Sequence, residues 1–273
     1  MLREPVTQRH DATSHELRVA FLCSRRAPGL PYLLDAARPG LWRLVAGVTS
    51  DLESEAPRLL EAAGVPAVTH DITAFYRARG AGLRDLTVRR DYDRATLELL
   101  RPFRPDLVVL CGYLHIVTAP LLEAYPGRVI NLHDADLSVT GPDGLPKYRG
   151  LRSTRDAIVA GEMETRSTVH LATPAVDVGP PLVRSWAFPT HPLVDDARRW
   201  GATDVLKAYA YAQREWMMRA AWGPLLARAI ELFAQDEIRF LHGRPVVAGA
   251  LGPEELAPQR SGARELEVWT TSA

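Results

Sequence analysis

The chain has 273 residues, 47% hydrophobic and 24% charged, with 33 basic and 33 acidic side chains. This is ordinary for a globular protein with ample material for a core, and the balanced charge offers no global field for nucleic acid or an anionic membrane. The two cysteines, Cys23 and Cys111, exclude a disulfide framework and a cysteine zinc cluster, so no metal site is expected. No apolar run approaches the roughly 18 residues of a membrane span. Residues 1–16 are polar, without the apolar core of a secretory signal, and are expected to be a flexible tail on a cytoplasmic protein.

Leu17–Cys23 is the first predicted strand. Ser24-Arg25-Arg26-Ala27-Pro28-Gly29-Leu30 then turns into an apolar helix running to about Ala37. Strand, turn, helix is how a mononucleotide-type fold opens, with helix amides facing an anion, although a bland connection reads equally well here. Neither G-x-G-x-x-G nor G-x-x-x-x-G-K-[ST] is present, so NAD and ATP are not supported. A strand over Leu44–Thr49 and a helix over Glu53–Ala63 follow, closed by Gly64. Val65–Val68 starts an edge-like strand, since it carries Pro66.

Residues 80–90 read as irregular and basic, and Asp91–Arg101 as an amphipathic helix. Leu107–Cys111 is a fully apolar central strand leading to Gly112-Tyr113 and a short helix at 119–124. Ser167–Thr173 and Pro181–Phe188 are predicted strands flanking Asp177-Val178-Gly179-Pro180. A long helix spans about Ala202–Phe233, interrupted near Gly223-Pro224. The alternation implies βαβ units: an α/β, Rossmann-like, mostly parallel sheet with flanking helices, one domain over 17–250 and a loose tail over 251–273.

Chemistry concentrates at Arg128-Val129-Ile130-Asn131-Leu132-His133. On an extended backbone the side chains at i and i+2 share a face, so Asn131 and His133 project together from the carboxyl end of a strand. Open α/β sheets place their ligand site there. An amide donor beside a titratable ring can hold a developing oxyanion and move a proton, whereas an isolated N-x-H is more often a capped strand end.

Downstream stand Leu145-Pro146-Lys147-Tyr148-Arg149-Gly150, opening a helix, then Thr168-Val169-His170 and Asp177-Val178-Gly179-Pro180. In order and spacing these pieces, with Pro105-Asp106-Leu107-Val108-Val109-Leu110 and Gly112-Tyr113, resemble the folate-dependent formyltransferases, most closely the branch acting on phosphoribosylglycinamide. The resemblance covers about residues 17–245.

The resemblance implies a formyltransferase fold and transfer of a formyl group from 10-formyltetrahydrofolate to a small-molecule primary amine, phosphoribosylglycinamide or a related metabolite. Its catalytic trio falls on Asn131, His133 and Asp177. Leu114, His115, Ile116 and Val117, with the 173–179 loop including Val176, fall where the family cradles the pterin, although Leu114, Ile116 and Val117 also read as ordinary core. Arg89 and Glu215 match residues contacting the acceptor, solvated surface being the ordinary alternative for such an arginine.

The chain also departs from the family. The phosphate-binding glycine-serine-asparagine turn is replaced by Arg26-Ala27-Pro28-Gly29-Leu30, so Arg25 and Arg26 are left to supply charge. The family's H-P-S-L-L-P gives way to His133-Asp134-Ala135-Asp136-Leu137 and an insertion to Gly144. Asp134 and Asp136 either neutralise an amine or, the favoured reading, solvate a longer loop. Trp216 stands where relatives carry a histidine. Three alternatives stay open: a formyltetrahydrofolate hydrolase, which normally carries an N-terminal regulatory domain; a methionyl-tRNA formyltransferase, which normally carries a basic C-terminal domain; and a non-catalytic folate-binding module.

Overall fold

The computed structural model describes residues 15–242 and 244–258. The elements of the first half are β1 (Leu17–Cys23), α1 (Leu30–Ala36), β2 (Trp42–Thr49), α2 (Ala56–Ala62), β3 (Ala67–Thr69), α3 (Ile72–Arg77), α4 (Leu86–Leu100), β4 (Leu107–Leu110), α5 (Ala119–Ala124) and β5 (Val129–His133). There follow α6 (Ser153–Ala160), β6 (Glu164–Thr165), β7 (Thr168–Leu171), β8 (Pro181–Arg184), β9 (Phe188–Pro189), α7 (Leu193–Arg199) and α8 (Thr203–Ala234). The chain then forms β10 (Ile238–Leu241), β11 (Arg244–Val247), β12 (Ala250–Leu251) and β13 (Glu254–Glu255).

An eight-stranded sheet runs β13-β8-β7-β5-β4-β1-β2-β3. Pairing from β3 to β5 is parallel throughout, and β7 enters antiparallel to both β5 and β8. The expected mostly parallel α/β sheet is therefore what forms, with β3 at its edge. Two-residue alternation along β1 divides the core: Val19, Phe21 and Cys23 pack with Leu30, Leu33 and the apolar face of α8, while Ala20 and Leu22 join Leu100, Val117 and Leu121 on the other side. β2 slips register against β1 between Val19 and Ala20, so Leu44 packs in the first layer and Ala46 in the second.

Several predicted boundaries move. The helix expected from Asp91 begins at Leu86, because the Asp85 side chain caps it by accepting from Thr87 N–H (2.8 Å) and Val88 N–H (3.2 Å), which makes Arg89 and Arg90 helical. Asp71 caps α3 in the same way, and that helix was not predicted. α2 starts at Ala56 rather than Glu53, with Pro57 in its first turn. The strand expected over Pro181–Phe188 is split: β8 ends at Arg184, and Phe188–Pro189 pairs separately with Glu164–Thr165.

Pro224 does not interrupt α8, which runs continuously through it. A Cβ on Gly223 would lie 2.4 Å from that of Tyr32, so the Gly-Pro step lets α1 and α8 approach while costing the helix one hydrogen bond. The tail expected from residue 251 opens as structure: Glu254–Glu255 pairs with β8, and Arg228 holds Glu254 through two hydrogen bonds of 2.8 and 2.9 Å. Of the expected tails, residues 1–14 and 259–273 lie outside the described residues. The insertion after His133 closes on itself as a small hairpin, with Lys147 N–H donating to Val139 O and Gly141 N–H to Leu145 O, both at 2.8 Å. Among the described residues, no helix is long and apolar enough to cross a membrane.

Candidate active site

A cavity of about 280 Å³ opens at the carboxyl ends of β4 and β5. Asn131 and His133 enter it from β5 on one face, as their spacing requires. Antiparallel pairing sets Asn131 directly across from His170 on β7, and Asn131 Nδ2 lies 3.1 Å from His170 Nε2. His170 Nδ1 donates to the Leu171 carbonyl at 2.9 Å, so Nε2 faces the Asn131 amide and, at 3.6 Å, the Asp177 carboxylate.

Asp177 arrives from the loop between β7 and β8 with φ +53°, a left-handed conformation that aspartate tolerates better than most residues. Two residues on, a Cβ at Gly179 would sit 1.7 Å from the Leu171 carbonyl oxygen, so the loop folds against β7 only with glycine there. The Asp177 carboxylate is 9% exposed. Its Oδ2 accepts from Gly150 N–H at 2.8 Å and lies 3.4 Å from His133 Nδ1, and its Oδ1 lies 3.6 Å from His170 Nε2. The opposite edge of the His133 ring is fixed as well. Nε2 lies 3.0 Å from the Tyr148 carbonyl, which can only accept, so that nitrogen carries a proton. The expected trio thus meets in space, organised by Tyr148 and Gly150 of the L-P-x-Y-x-G stretch.

Burial pushes the Asp177 carboxyl up, but the hydrogen bond with His170, the charge of His133 and the Gly150 amide outweigh it and hold the group at about 2. A carboxyl depressed on folding contributes stability that is present above its unfolded value of 3.8 and lost as pH falls towards 2. Over that window wild type should lose about 2 kcal/mol more stability than Asp177→Asn, followed by urea unfolding at each pH. Parallel loss in the two proteins would show that the carboxylate carries no such linkage.

Asp134 and Asp136 correct the expectation of a solvated loop. Asp134 is buried, hydrogen-bonded to Arg214 Nε on α8, and lies 3.2 Å from Ser153 Oγ and 3.3 Å from Thr154 Oγ1 at the start of α6. Asp136 is bound by Arg184 Nη1 at 3.2 Å and lies 3.7 Å from Arg166. Both carboxylates are internal counter-ions rather than free negative charge at the mouth.

Leu114, His115, Ile116, Val117 and Val176 all line the cavity. Leu114, Ile116 and Val176 are exposed on its rim, whereas Val117 is buried in the core layer beneath. Burial, reinforced by nearby Arg89, pulls His115 down to about 4, so it is neutral at pH 7. The four expected acceptor contacts do not line this cavity. Arg25 pairs with Glu53, and Arg26 forms a two-pronged pair with Glu215 at 2.5 and 3.0 Å, so two residues expected to hold substrate hold each other. Arg89 is not surface: it is 3% exposed, pairs with Asp93 at 2.9 Å, and donates to Ile116 O at 2.5 Å and Tyr113 Oη at 2.7 Å.

Sequence reasoning assigned no role to His170 or Arg214. His170 stood in the quoted T-V-H, but strand register alone sets it opposite Asn131. Arg214 carries no local signal, since its partner lies 80 positions away.

Residues 17–199 match the family described as formyl transferase. The chain is 33% identical over 122 residues to phosphoribosylglycinamide formyltransferase of Escherichia coli (strain K12), covering 42% of this chain and 54% of that protein. It is 31% identical over 186 residues to the trifunctional purine biosynthetic protein adenosine-3 of Drosophila melanogaster, covering 66% of this chain and 12% of that protein. The chain therefore spans about half the length of the first and about an eighth of the second. In structure it resembles glycinamide ribonucleotide transformylase 1 from Symbiobacterium toebii, with a TM-score of 0.62 and 26% identity over 84% of this chain and 93% of the other.

Proposed function

This chain belongs to the formyl transferase family, and we propose that it moves a formyl group from 10-formyltetrahydrofolate to a primary amine, phosphoribosylglycinamide or a related small metabolite. The observation that carries this reading is the convergence of Asn131, His133 and Asp177, the last two 3.4 Å apart, in a cavity with an apolar rim. Its volume of about 280 Å³ suits a fused ring, and Leu114, Ile116 and Val176 offer that ring apolar edges beside backbone polar groups.

The folate supplies the formyl carbon on a nitrogen that leaves. Asn131 is placed to donate an amide N–H to the formyl oxygen as negative charge gathers there, and a protonated His133 adds to that stabilisation. Asp177, ionised, orients the His133 ring and receives the proton the amine gives up, directly or through water, and that proton passes on to the departing folate nitrogen. Neutral His115 and the apolar rim hold the pterin without placing a competing charge beside it. We place this chemistry in the cytoplasm, where a small-metabolite acceptor is at hand.

Incubated with 10-formyltetrahydrofolate, the protein should release tetrahydrofolate only when an amine is added, followed by folate absorbance. Release without amine would make it a hydrolase. Donor binding without turnover across a broad amine panel would make it a binding module.

A further inference from the structure

His133 Nδ1 faces two carboxylates. Asp177 Oδ2 lies 3.4 Å away and Asp134 Oδ1 3.9 Å away, and both acidic side chains are 9% exposed. Distances this similar do not by themselves choose which anion acts on the ring. The two differ in their partners. Asp177 accepts from the Gly150 amide and faces His170. Asp134 is bound by a full cation: Arg214 Nε on α8 donates to its Oδ2, while Ser153 Oγ and Thr154 Oγ1 stand 3.2 and 3.3 Å from its oxygens. A guanidinium hydrogen-bonded to one carboxylate cancels much of that carboxylate's field at a neighbouring group.

Arg214 is itself held in place. Its guanidinium carbon lies 5.3 Å from the centre of the Trp222 ring, and Trp222 Nε1 donates to Ser167 Oγ at 3.0 Å. Both side chains line the active-site cavity with His133. The groups around the imidazole are therefore Asp134 beside it in the chain, Asp177 from the β7–β8 loop, Arg214 from α8 behind Asp134, and His170 of β7, whose ring centre is 6.5 Å away. Asp134 stands where the family's pattern carries proline, so the second carboxylate belongs to this chain's own sequence.

We propose that Arg214 is a positioning residue: bound to Asp134, it neutralises the second carboxylate beside His133 and leaves Asp177 to govern the proton on the ring. The inference rests on formyl transfer being the reaction, since that reading gives a protonated His133 its task. Removing either member of the pair then has opposite consequences. Without Arg214, two anions share the Nδ1 edge and hold the ring's proton to higher pH. Without the Asp134 charge, the unmatched guanidinium drives that proton off at lower pH. A pair that merely braced the wall would move both variants alike or not at all.

The test uses the full chain. Asp134→Asn keeps an oxygen for Arg214 and loses the charge, and Arg214→Met keeps an apolar stem over Trp222 and loses the cation. The alkaline limb of kcat reports loss of the His133 proton in the bound complex, so the ratio of kcat at pH 9 to kcat at pH 7 is compared with wild type. That ratio should rise at least about threefold in Arg214→Met and fall at least about threefold in Asp134→Asn. It should stay within about twofold of wild type in Arg214→Lys and in Asp134→Asn with Arg214→Met. The His133 ring, followed by NMR without substrate and assigned by its absence from His133→Ala, should titrate in the same two directions. Should Arg214→Met fail to fold by circular dichroism, Asp134→Asn and Arg214→Lys decide the matter.

An unmoved ring titration in Asp134→Asn, or movement in one direction in both single variants, overturns the assignment. Opposite movements in a protein that neither binds nor turns over 10-formyltetrahydrofolate keep the charge arrangement and sink the formyl-transfer reading instead.

Discussion

Asp177→Asn is expected to slow formyl transfer by about a thousandfold without unfolding the protein, within the range that acid–base groups supply. Asparagine is nearly isosteric and still offers an oxygen to Gly150 N–H, so the loop keeps its anchor at 2.8 Å. What disappears is the negative charge 3.4 Å from His133 Nδ1. With Nε2 already donating to Tyr148 O, the Nδ1 edge is where the carboxylate acts on the ring, and a neutral amide cannot draw a proton there. His133→Ala removes the donor itself and should cost about 10²–10³-fold. Stopped-flow rates with circular dichroism as the folding control check both. A wild-type rate in Asp177→Asn would remove the carboxylate from the mechanism.

Arg89→Met is expected to destabilise the fold by about 3–5 kcal/mol, because it strands a buried carboxylate. Asp93 is 1% exposed, and burial pushes its carboxyl above the ordinary range, so its charge depends on Arg89 and on Thr118, whose N–H donates to it at 2.7 Å. The same guanidinium fastens Tyr113 and Ile116, and with them the loop that carries Leu114 and His115 into the cavity. A rise in KM for the folate donor should therefore accompany the loss of stability. Pairing Arg89→Met with Asp93→Leu should recover much of the stability, since an apolar pair of similar volume carries no stranded charge. Urea unfolding of the three proteins checks this. A loss under about 1 kcal/mol in Arg89→Met would show the pair to be dispensable.

These two residues show how differently the site was legible in sequence. Asp177 was found because D-x-G-P follows T-V-H at a recognisable spacing. Arg89, expected as an acceptor contact with surface as the ordinary alternative, is buried against Asp93: a basic stretch before an amphipathic pattern does not by itself signal burial. Asp85 moves the helix start upstream and turns Arg89 towards Asp93, one helical turn on. Asp134 was misjudged for a similar reason, since an acid after a strand end reads as solvated until Arg214 is brought against it from α8.

By itself the sequence determined what depends on near neighbours: the strand alternation that splits β1 between two core layers, the shared face of Asn131 and His133, and the turn that presents Asp177. These follow from backbone geometry and side-chain periodicity, which act over a few residues. Only the tertiary structure decided which charges are free and which are spent. The register of β5 against β7 gives Asn131 its histidine, and Arg26 and Glu215 close on each other across 189 positions. Partner choice between distant charges is set by packing of whole elements, and no local pattern encodes it.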